Sequence, residues 1–91
     1  MTTKTGNTIK VLYFARIREQ LERDEERIEW HAGITNVDSL IEHLCRNRSE
    51  TWRHVLSQAN LLYAVNQSLA DLDHPIGPGD EVAFFPPVTG G

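Results

Sequence analysis

The amino-acid sequence predicts an α+β fold in which a mixed sheet carries one long helix packed across one face. Three observations indicate this class. One stretch of helical periodicity, residues 37–47, is long enough to cover a sheet. Short runs rich in β-branched and aromatic residues stand on both sides of that stretch. The length of 91 residues allows one domain with one modest core.

Five strands are predicted, and a polar leader precedes them. Residues 1–8 contain threonine, lysine, glycine and asparagine but no apolar segment, so we expect them to be disordered. Each predicted strand is a short run of β-branched, aliphatic or aromatic residues. In chain order, the strands are residues 9–15, 27–31, 61–65, 68–72 and 81–85.

The long helix is predicted over residues 37–47, where apolar side chains recur on one stripe. Thr35 is predicted to cap it, with Asp38 in the acidic position of a capping box, and Asn36 is the alternative cap. Cys45 lies on the stripe, which favours a buried small side chain over a reactive thiol. The stripe consists of Val37, Leu40, Ile41, Leu44 and Cys45. Shorter helices are predicted at residues 16–23 and 51–58.

Short connections determine how these elements assemble. Residues 66–67 form a turn, and residues 77–80 fit a type II turn in which Gly79 supplies a positive φ. With few strands and one long helix, the simplest closed arrangement is a β-grasp, in which two hairpins are joined by a helix that crosses the sheet. The first and last strands then lie side by side in the middle of the sheet and run parallel.

Both central strands carry large apolar side chains on their two faces, which is more apolar surface than one helix can cover. The face toward the helix would hold Ile9, Val11, Tyr13, Val82 and Phe84. The opposite face would hold Leu12, Phe14, Ala83 and Phe85. Either the short segments 16–23 and 51–58 cover this second face, or it is a surface for a partner. We favour the partner, because the patch would adjoin the start of the C-terminal tail.

Composition argues against several classes of function. The formal net charge is −4 and no basic run is interleaved with aromatic residues, so we expect no nucleic-acid partner. No apolar stretch approaches the ~20 residues that span a bilayer, and the leader lacks a signal-peptide pattern, so we expect a cytoplasmic protein without a membrane partner. The histidines lack zinc-ligand spacing and no nucleophile or phosphate-binding motif occurs, so we expect no metal site and no self-sufficient enzyme.

The C-terminus combines an apolar strand, two prolines and two glycines. Pro86 and Pro87 cannot extend the sheet, and they favour a stiff, extended segment. Gly90 and Gly91 have no Cβ, so they make a thin tip that can enter a narrow channel. A terminus that is simply frayed is the alternative, but it would not need a stiff spacer. The predicted units are the leader, a β-grasp domain over residues 9–87 and a flexible tail over residues 88–91.

Long ungapped stretches of the chain resemble the small subunits of molybdopterin synthase, the sulfur carriers of molybdenum-cofactor synthesis. The C-terminal stretch is the most specific, because it runs without a gap through the final prolines and glycines. The leader and the turn at residues 77–78 depart from the family pattern, but neither touches the tail. The matching stretches are residues 9–15, 16–19, 65–67, 73–76 and 79–91.

The resemblance implies a ubiquitin-like β-grasp fold and a sulfur carrier that is not an enzyme on its own. A ubiquitin-activating-type adenylyltransferase would use ATP to adenylate Gly91, and a sulfurtransferase would convert the adenylate to a thiocarboxylate. The tail would then enter the large synthase subunit, which supplies the catalytic side chains. There it would give its sulfur to cyclic pyranopterin monophosphate to form the dithiolene. Two small and two large subunits form the family's assembly, and no cofactor is bound permanently.

The same resemblance implies roles for residues near the tail. Gly90 would let the tail thread the tunnel of the large subunit. The residues that would fix its depth are Pro86, Pro87, Val88 and Thr89. Phe14 and Phe85 are the predicted docking anchors, because aromatic side chains dominate interface energetics. Arg18 would add an ion pair at the rim, worth about 0.2–1 kcal/mol when exposed.

Two other functions stay open. A sulfur carrier for another pathway, such as thiamine or tungsten-cofactor synthesis, would share the fold and the tail, and incubation with each acceptor enzyme would separate these carriers. A ubiquitin-like protein modifier would be joined to lysines of target proteins and would give a ladder of covalent adducts on denaturing electrophoresis. The long match through residues 84–91 favours the molybdenum pathway.

Overall fold

The computed structural model describes residues 7–87, and within them strands and helices form one mixed sheet with helices on one side. The elements are β1 (Thr8–Tyr13), α1 (Ala15–Leu21), β2 (Glu25–Glu29), α2 (Val37–Cys45), α3 (Glu50–Leu56), β3 (Leu62–Val65), β4 (Ser68–Ala70) and β5 (Glu81–Phe85). The sheet order is β2-β1-β5-β3-β4. The central strands β1 and β5 run parallel, and the other neighbours are antiparallel. This topology confirms the predicted α+β fold, including the parallel pairing of the first and last strands.

The apolar faces of all three helices converge on one side of the sheet. The inward residues of β1 and β5, from Ile9 to Phe84, are at most 1% exposed and share a core with the α2 stripe. Cys45 belongs to this core, as predicted, and burial raises the pKa of its thiol. The short helices contribute Ile17, Leu21, Trp52, Val55 and Leu56 to the same core. Because α1 and α3 join α2 on this side, they leave the opposite face of the sheet uncovered within the described residues.

Asn36, not Thr35, caps the long helix. The Asn36 side-chain oxygen accepts a hydrogen bond from the Ser39 backbone N–H at 2.8 Å. The Ser39 hydroxyl accepts in return from the Asn36 N–H at 3.0 Å, which completes a capping box. The same hydroxyl also accepts from the Thr35 N–H at 2.8 Å. The Thr35 and Asp38 prediction is therefore wrong, because a serine hydroxyl three residues after Asn36 provides the reciprocal bond.

Replacement of Asn36 by alanine is expected to lower the free energy of unfolding by about 1 kcal/mol, because the Ser39 N–H loses its acceptor. Thr35→Ala is the matched control, since the exposed Thr35 contributes its backbone to the cap and not its side chain. Urea denaturation of the two variants measures the difference. Equal losses in both variants would contradict the assignment of Asn36 as the cap.

Several element boundaries differ from the prediction by a few residues. Thr8, which was expected to belong to the leader, opens β1. The second strand starts at Glu25, two residues before the predicted start, because Glu26 points inward and is paired there. Gly79 has a φ of 91°, and the Asp80 N–H donates to the Gly77 carbonyl at 3.2 Å, as expected for the predicted turn.

The β3–β4 hairpin closes through a tight two-residue turn. Asn66 and Gln67 both have positive φ values, 51° and 72°, which match the twist of the flanking strands. The side-chain oxygen of Asn66 accepts a hydrogen bond from the Glu81 N–H at 3.0 Å, and its side-chain nitrogen donates one to the Asp80 carboxylate at 3.0 Å. The hairpin is thereby fixed to the start of β5, and its register places Val65 opposite Ser68.

Candidate functional site: the open face of the sheet and the end of β5

The uncovered side of the sheet, which we call the open face, carries an apolar patch that spans four strands. Strand register brings its members together, since Leu12 is paired with Ala83, Ala83 with Ala64, and Ala64 with Leu69. Paired residues of neighbouring strands point to the same side of a sheet. The patch consists of Leu12, Phe14, Leu62, Ala64, Leu69, Ala83 and Phe85.

Two large side chains of the open face protrude into solvent. Phe14 is 45% exposed and Leu69 is 73% exposed. Phe85 is half-buried, and Ala83 between them is buried by its neighbours. Large apolar side chains exposed on one face are a feature that protein interaction surfaces share. The structure thus brings the two predicted anchors, Phe14 and Phe85, onto one face.

Leu69 was missed as a functional candidate, although a local signal for it existed. The two-residue turn at Asn66 and Gln67 fixes the hairpin register, and this register sets Leu69 opposite Ala64. Ala64 is in turn paired with Ala83 of the central strand. Leu69 could therefore have been placed on the open face by counting outward from the turn.

Charged side chains occupy the other part of the open face. Lys10 is paired with Glu81 across β1 and β5, at the end away from Phe85. On the edge strand β2, the residues on the same side are Glu25, Arg27 and Glu29. An apolar centre with a charged border is the usual anatomy of a protein–protein interface. The open face has that division, with its apolar part next to the C-terminal end of β5.

The chain leaves the sheet at the apolar end of the open face. Phe85 is the last residue of β5, and Pro86 and Pro87 follow it in a half-buried position. Neither proline can donate to a strand, so the sheet ends here. Val88, Thr89, Gly90 and Gly91 lie outside the described residues. The last described residues before the predicted tail therefore follow directly on Phe85, one of the predicted anchors.

Arg18 lies near this end of the molecule, on an exposed position of α1. Its backbone N–H donates to the Phe14 carbonyl at 3.4 Å, so it is one turn away from the exposed ring. The position is compatible with the rim role predicted for Arg18.

A polar cluster centred on Glu26 supports the core side of β1 and β5. The Glu26 carboxylate accepts from the Tyr13 hydroxyl at 2.7 Å, from both terminal nitrogens of Arg48 at 2.9 Å, and from Arg23 at 2.7 Å. Arg48 also lies over the Trp52 ring, 4.2 Å from its centre. The Tyr13 ring is stacked on Phe84 at 5.9 Å, so the cluster reaches the strand that carries the tail.

The ionisation of this cluster follows from its contacts. Burial alone would raise the pKa of Glu26, but the hydrogen bonds from Arg48 and Tyr13 and the charges of Arg48 and Arg23 bring that pKa below its ordinary value. Burial, followed by the bond to Glu26 and its charge, raises the pKa of Tyr13. The carboxylate is therefore charged and the phenol neutral at physiological pH. The cluster is a fixed support and not an acid–base pair for catalysis.

Within residues 7–87, no group of three or more histidine, cysteine, aspartate or glutamate side chains could hold a metal ion. His31 and His43 do meet, with 3.4 Å between ring nitrogens, but they are two side chains at an exposed position.

No helix among the described residues is long and apolar enough to cross a membrane. What the geometry offers is a partly exposed apolar face next to the C-terminal end of β5.

The sheet order, the parallel central strands and the helices on one side define a ubiquitin-like β-grasp protein. The chain belongs to the ThiS family, whose model matches residues 11–91. Its relative in Escherichia coli K12, named molybdopterin synthase sulfur carrier subunit, is 47% identical over 83 residues, covering 91% of this chain and 99% of the relative. The predicted resemblance to molybdopterin synthase small subunits is thereby confirmed.

Solved structures show the same similarity. A Pyrococcus furiosus protein assigned as subunit 1 of molybdopterin converting factor matches with a TM-score of 0.70 and 32% identity, over 89% of this chain and 98% of that one. A chain from a complex of subunits 1 and 2 of molybdopterin-converting factor from Helicobacter pylori matches with a TM-score of 0.62 and 22% identity, over 92% and 99% of the two chains. The second match is evidence for the fold alone.

Proposed function

We propose that this protein is the sulfur carrier subunit of a molybdopterin synthase, and that it carries sulfur as a thiocarboxylate on Gly91. The observation that carries the proposal is the 47% identity to a named sulfur carrier subunit over nearly the full length of both chains. The family match also extends to the final residue of the sequence.

The chemistry starts from a carboxylate, which is a poor acyl donor because its two oxygens share the negative charge. An adenylyltransferase of the ubiquitin-activating type joins Gly91 to AMP from ATP and releases pyrophosphate, which creates a good leaving group. A sulfurtransferase then delivers sulfur to the acyl carbon, AMP departs, and Gly91 ends in a thiocarboxylate. The thiocarboxylate sulfur attacks cyclic pyranopterin monophosphate, water then cleaves the acyl C–S bond, and Gly91 returns to a carboxylate while the sulfur stays on the pterin. Two such transfers build the dithiolene.

The open face docks on the large synthase subunit in this proposal. Its exposed apolar residues, above all Phe14 and Leu69, would be covered there, and Arg18 would lie at the rim. The C-terminal residues from Pro86 onward would then enter the active site of the partner, with Gly90 and Gly91 at the narrowest point. Support for a partner of this kind comes from the Escherichia coli relative, whose name makes it one subunit of a molybdopterin synthase. We propose an assembly of two small and two large subunits.

The proposal also divides the work between the subunits. Residues 7–87 of the carrier supply a rigid body and a docking surface, and the side chains that catalyse sulfur transfer belong to the large subunit. The carrier binds no permanent cofactor, and ATP is used by the activating enzyme. All three partners are enzymes of small-molecule biosynthesis, so we propose that the carrier works in the cytoplasm.

Intact mass spectrometry tests this function. The full chain is expected to gain the mass of one oxygen replaced by sulfur when it is incubated with ATP, the adenylyltransferase and the sulfurtransferase, and fragmentation is expected to place the sulfur on Gly91. The control omits ATP, and the mass should then stay unchanged. A protein that forms covalent adducts with other proteins, and no free thiocarboxylate, would instead indicate a protein modifier.

A further inference from the structure

The junction between β1 and α1 contains an alanine in an unfavourable backbone conformation. Ala15 has a φ of 54°, a region that L-residues rarely adopt and that alanine cannot stabilise with a side-chain hydrogen bond. Other non-glycine residues with positive φ have ordinary structural reasons. Glu22 caps the end of α1, Asn47 follows α2, and Asn66 and Gln67 form the hairpin turn. Ala15 lies at the start of a helix, where neither a helix end nor a hairpin turn requires a positive φ.

The neighbouring Phe14 is held by backbone hydrogen bonds to β5 and to the first turn of α1. The Phe14 N–H donates to the Phe84 carbonyl of β5 at 3.1 Å. Its carbonyl accepts from the Ile17 N–H at 3.0 Å and from the Arg18 N–H at 3.4 Å. Ile17 is completely buried, so the first turn of α1 is anchored in the core. The chain thus passes from strand to helix through a single residue while the Phe14 ring remains 45% exposed on the open face.

We infer that Ala15 is a positioning residue, whose strained backbone holds the Phe14 ring on the open face, ready for the partner subunit. The inference rests on the proposed docking of that face on the large synthase subunit. Glycine would remove the strain, but it would also give the junction many additional conformations. Alanine restricts the junction to few backbone conformations, although it lowers the stability of the fold. Backbone strain of this kind is concentrated at functional sites.

The experiment compares the wild-type chain with Ala15→Gly and with a chemically synthesised chain that has D-alanine at position 15. A D-residue favours positive φ, so it removes the strain and keeps the junction restricted. Ala15→Gly is expected to unfold at the same or a higher denaturant concentration than wild type. Its Kd for the large synthase subunit is nevertheless expected to rise about threefold to tenfold, because binding must order the junction. The D-alanine chain is expected to be more stable and to bind as tightly as wild type.

Two further measurements make the outcomes distinct. Phe14→Ala is the positive control, because loss of an anchoring aromatic is expected to raise the Kd more than about tenfold. Backbone hydrogen exchange at Ile17 and Arg18 is expected to be faster in Ala15→Gly without any partner present. Equal affinity of Ala15→Gly and wild type, or unchanged exchange at the junction, would overturn the positioning role. A wild-type chain that does not bind the large subunit would refute the proposed function and this inference with it.

Discussion

Deletion of Gly91 is expected to abolish sulfur transfer to cyclic pyranopterin monophosphate while the folded domain is unaffected. The shortened chain still ends in a glycine carboxylate, that of Gly90, but this group falls about 3.5 Å short of its former reach. A displacement of only ~1 Å at a reacting centre can reduce a rate about 100-fold. The core of the described residues is formed by side chains between Ile9 and Phe84, so we expect the shortened chain to keep its fold. Dithiolene formation in the reconstituted synthase measures the reaction.

A chain lengthened by one glycine after Gly91 is the matched control for this deletion. It has the same type of terminal carboxylate, now displaced in the opposite direction, and it should also fail in sulfur transfer. Thermal unfolding and circular dichroism should be the same for both variants and wild type. If the shortened chain gained and transferred sulfur at the normal rate, the carboxyl group of Gly91 would not be the group that carries the sulfur.

Replacement of Glu26 by glutamine is expected to lower the free energy of unfolding by about 2 kcal/mol at neutral pH. The change leaves the guanidinium of Arg48 without its carboxylate in a site where the Glu26 side chain is 11% exposed and that of Arg48 is 25% exposed. Loss of one partner of a fully buried pair costs about 3–5 kcal/mol, and partial exposure reduces this value. Urea denaturation of the variant and wild type measures the difference.

The contribution of Glu26 should depend on pH with a defined sign. The pKa of Glu26 is lower in the folded protein than its ordinary value of 4.5, so its stabilising effect is complete above that pH. The effect is lost as the pH falls through the folded-state pKa, where the carboxylate takes up a proton. The difference in unfolding free energy between wild type and Glu26→Gln should therefore shrink on acidification below 4.5.

Glu42→Gln is the control for the Glu26 prediction. The Glu42 carboxylate also accepts hydrogen bonds from both terminal nitrogens of an arginine, Arg53, at 3.1 Å and 3.2 Å. Both of these side chains, however, are more than half exposed. Water and salt screen such a pair, so its loss should barely change the denaturation midpoint. An equal effect of the two substitutions would show that burial of the Glu26 cluster is unimportant for stability.

The parts of the fold that were predicted correctly depend on local patterns. The final strand was predicted at its observed bounds, residues 81–85, because a turn with Gly79 precedes it and prolines follow it. The stripe of α2 is likewise a local period, and all its members are buried. The predictions of a tail and of aromatic anchors also depend on local order, because Phe85 directly precedes the two prolines and Phe14 follows the neighbouring strand.

The features that were missed depend on contacts between distant residues. Glu26 lies outside the predicted second strand, residues 27–31, and its partners Tyr13 and Arg48 are 13 and 22 residues away. No periodicity in a single sequence reveals such a pair, and the start of β2 was misplaced for this reason. The backbone conformation of Ala15 could not be predicted either, because it depends on the anchoring of Phe14 to β5 and of Ile17 to the core at the same time.

The position of β5 in the sheet determines how the protein responds to a pull on its C-terminus. β5 is bonded along its length to β1 on one side and to β3 on the other. Tension applied beyond Phe85 along the axis of β5 would load the hydrogen bonds to β1 and to β3 in shear. Many of these bonds would then have to break together, and not one after another. The body therefore resists mechanical extraction in the direction in which a partner would draw the chain.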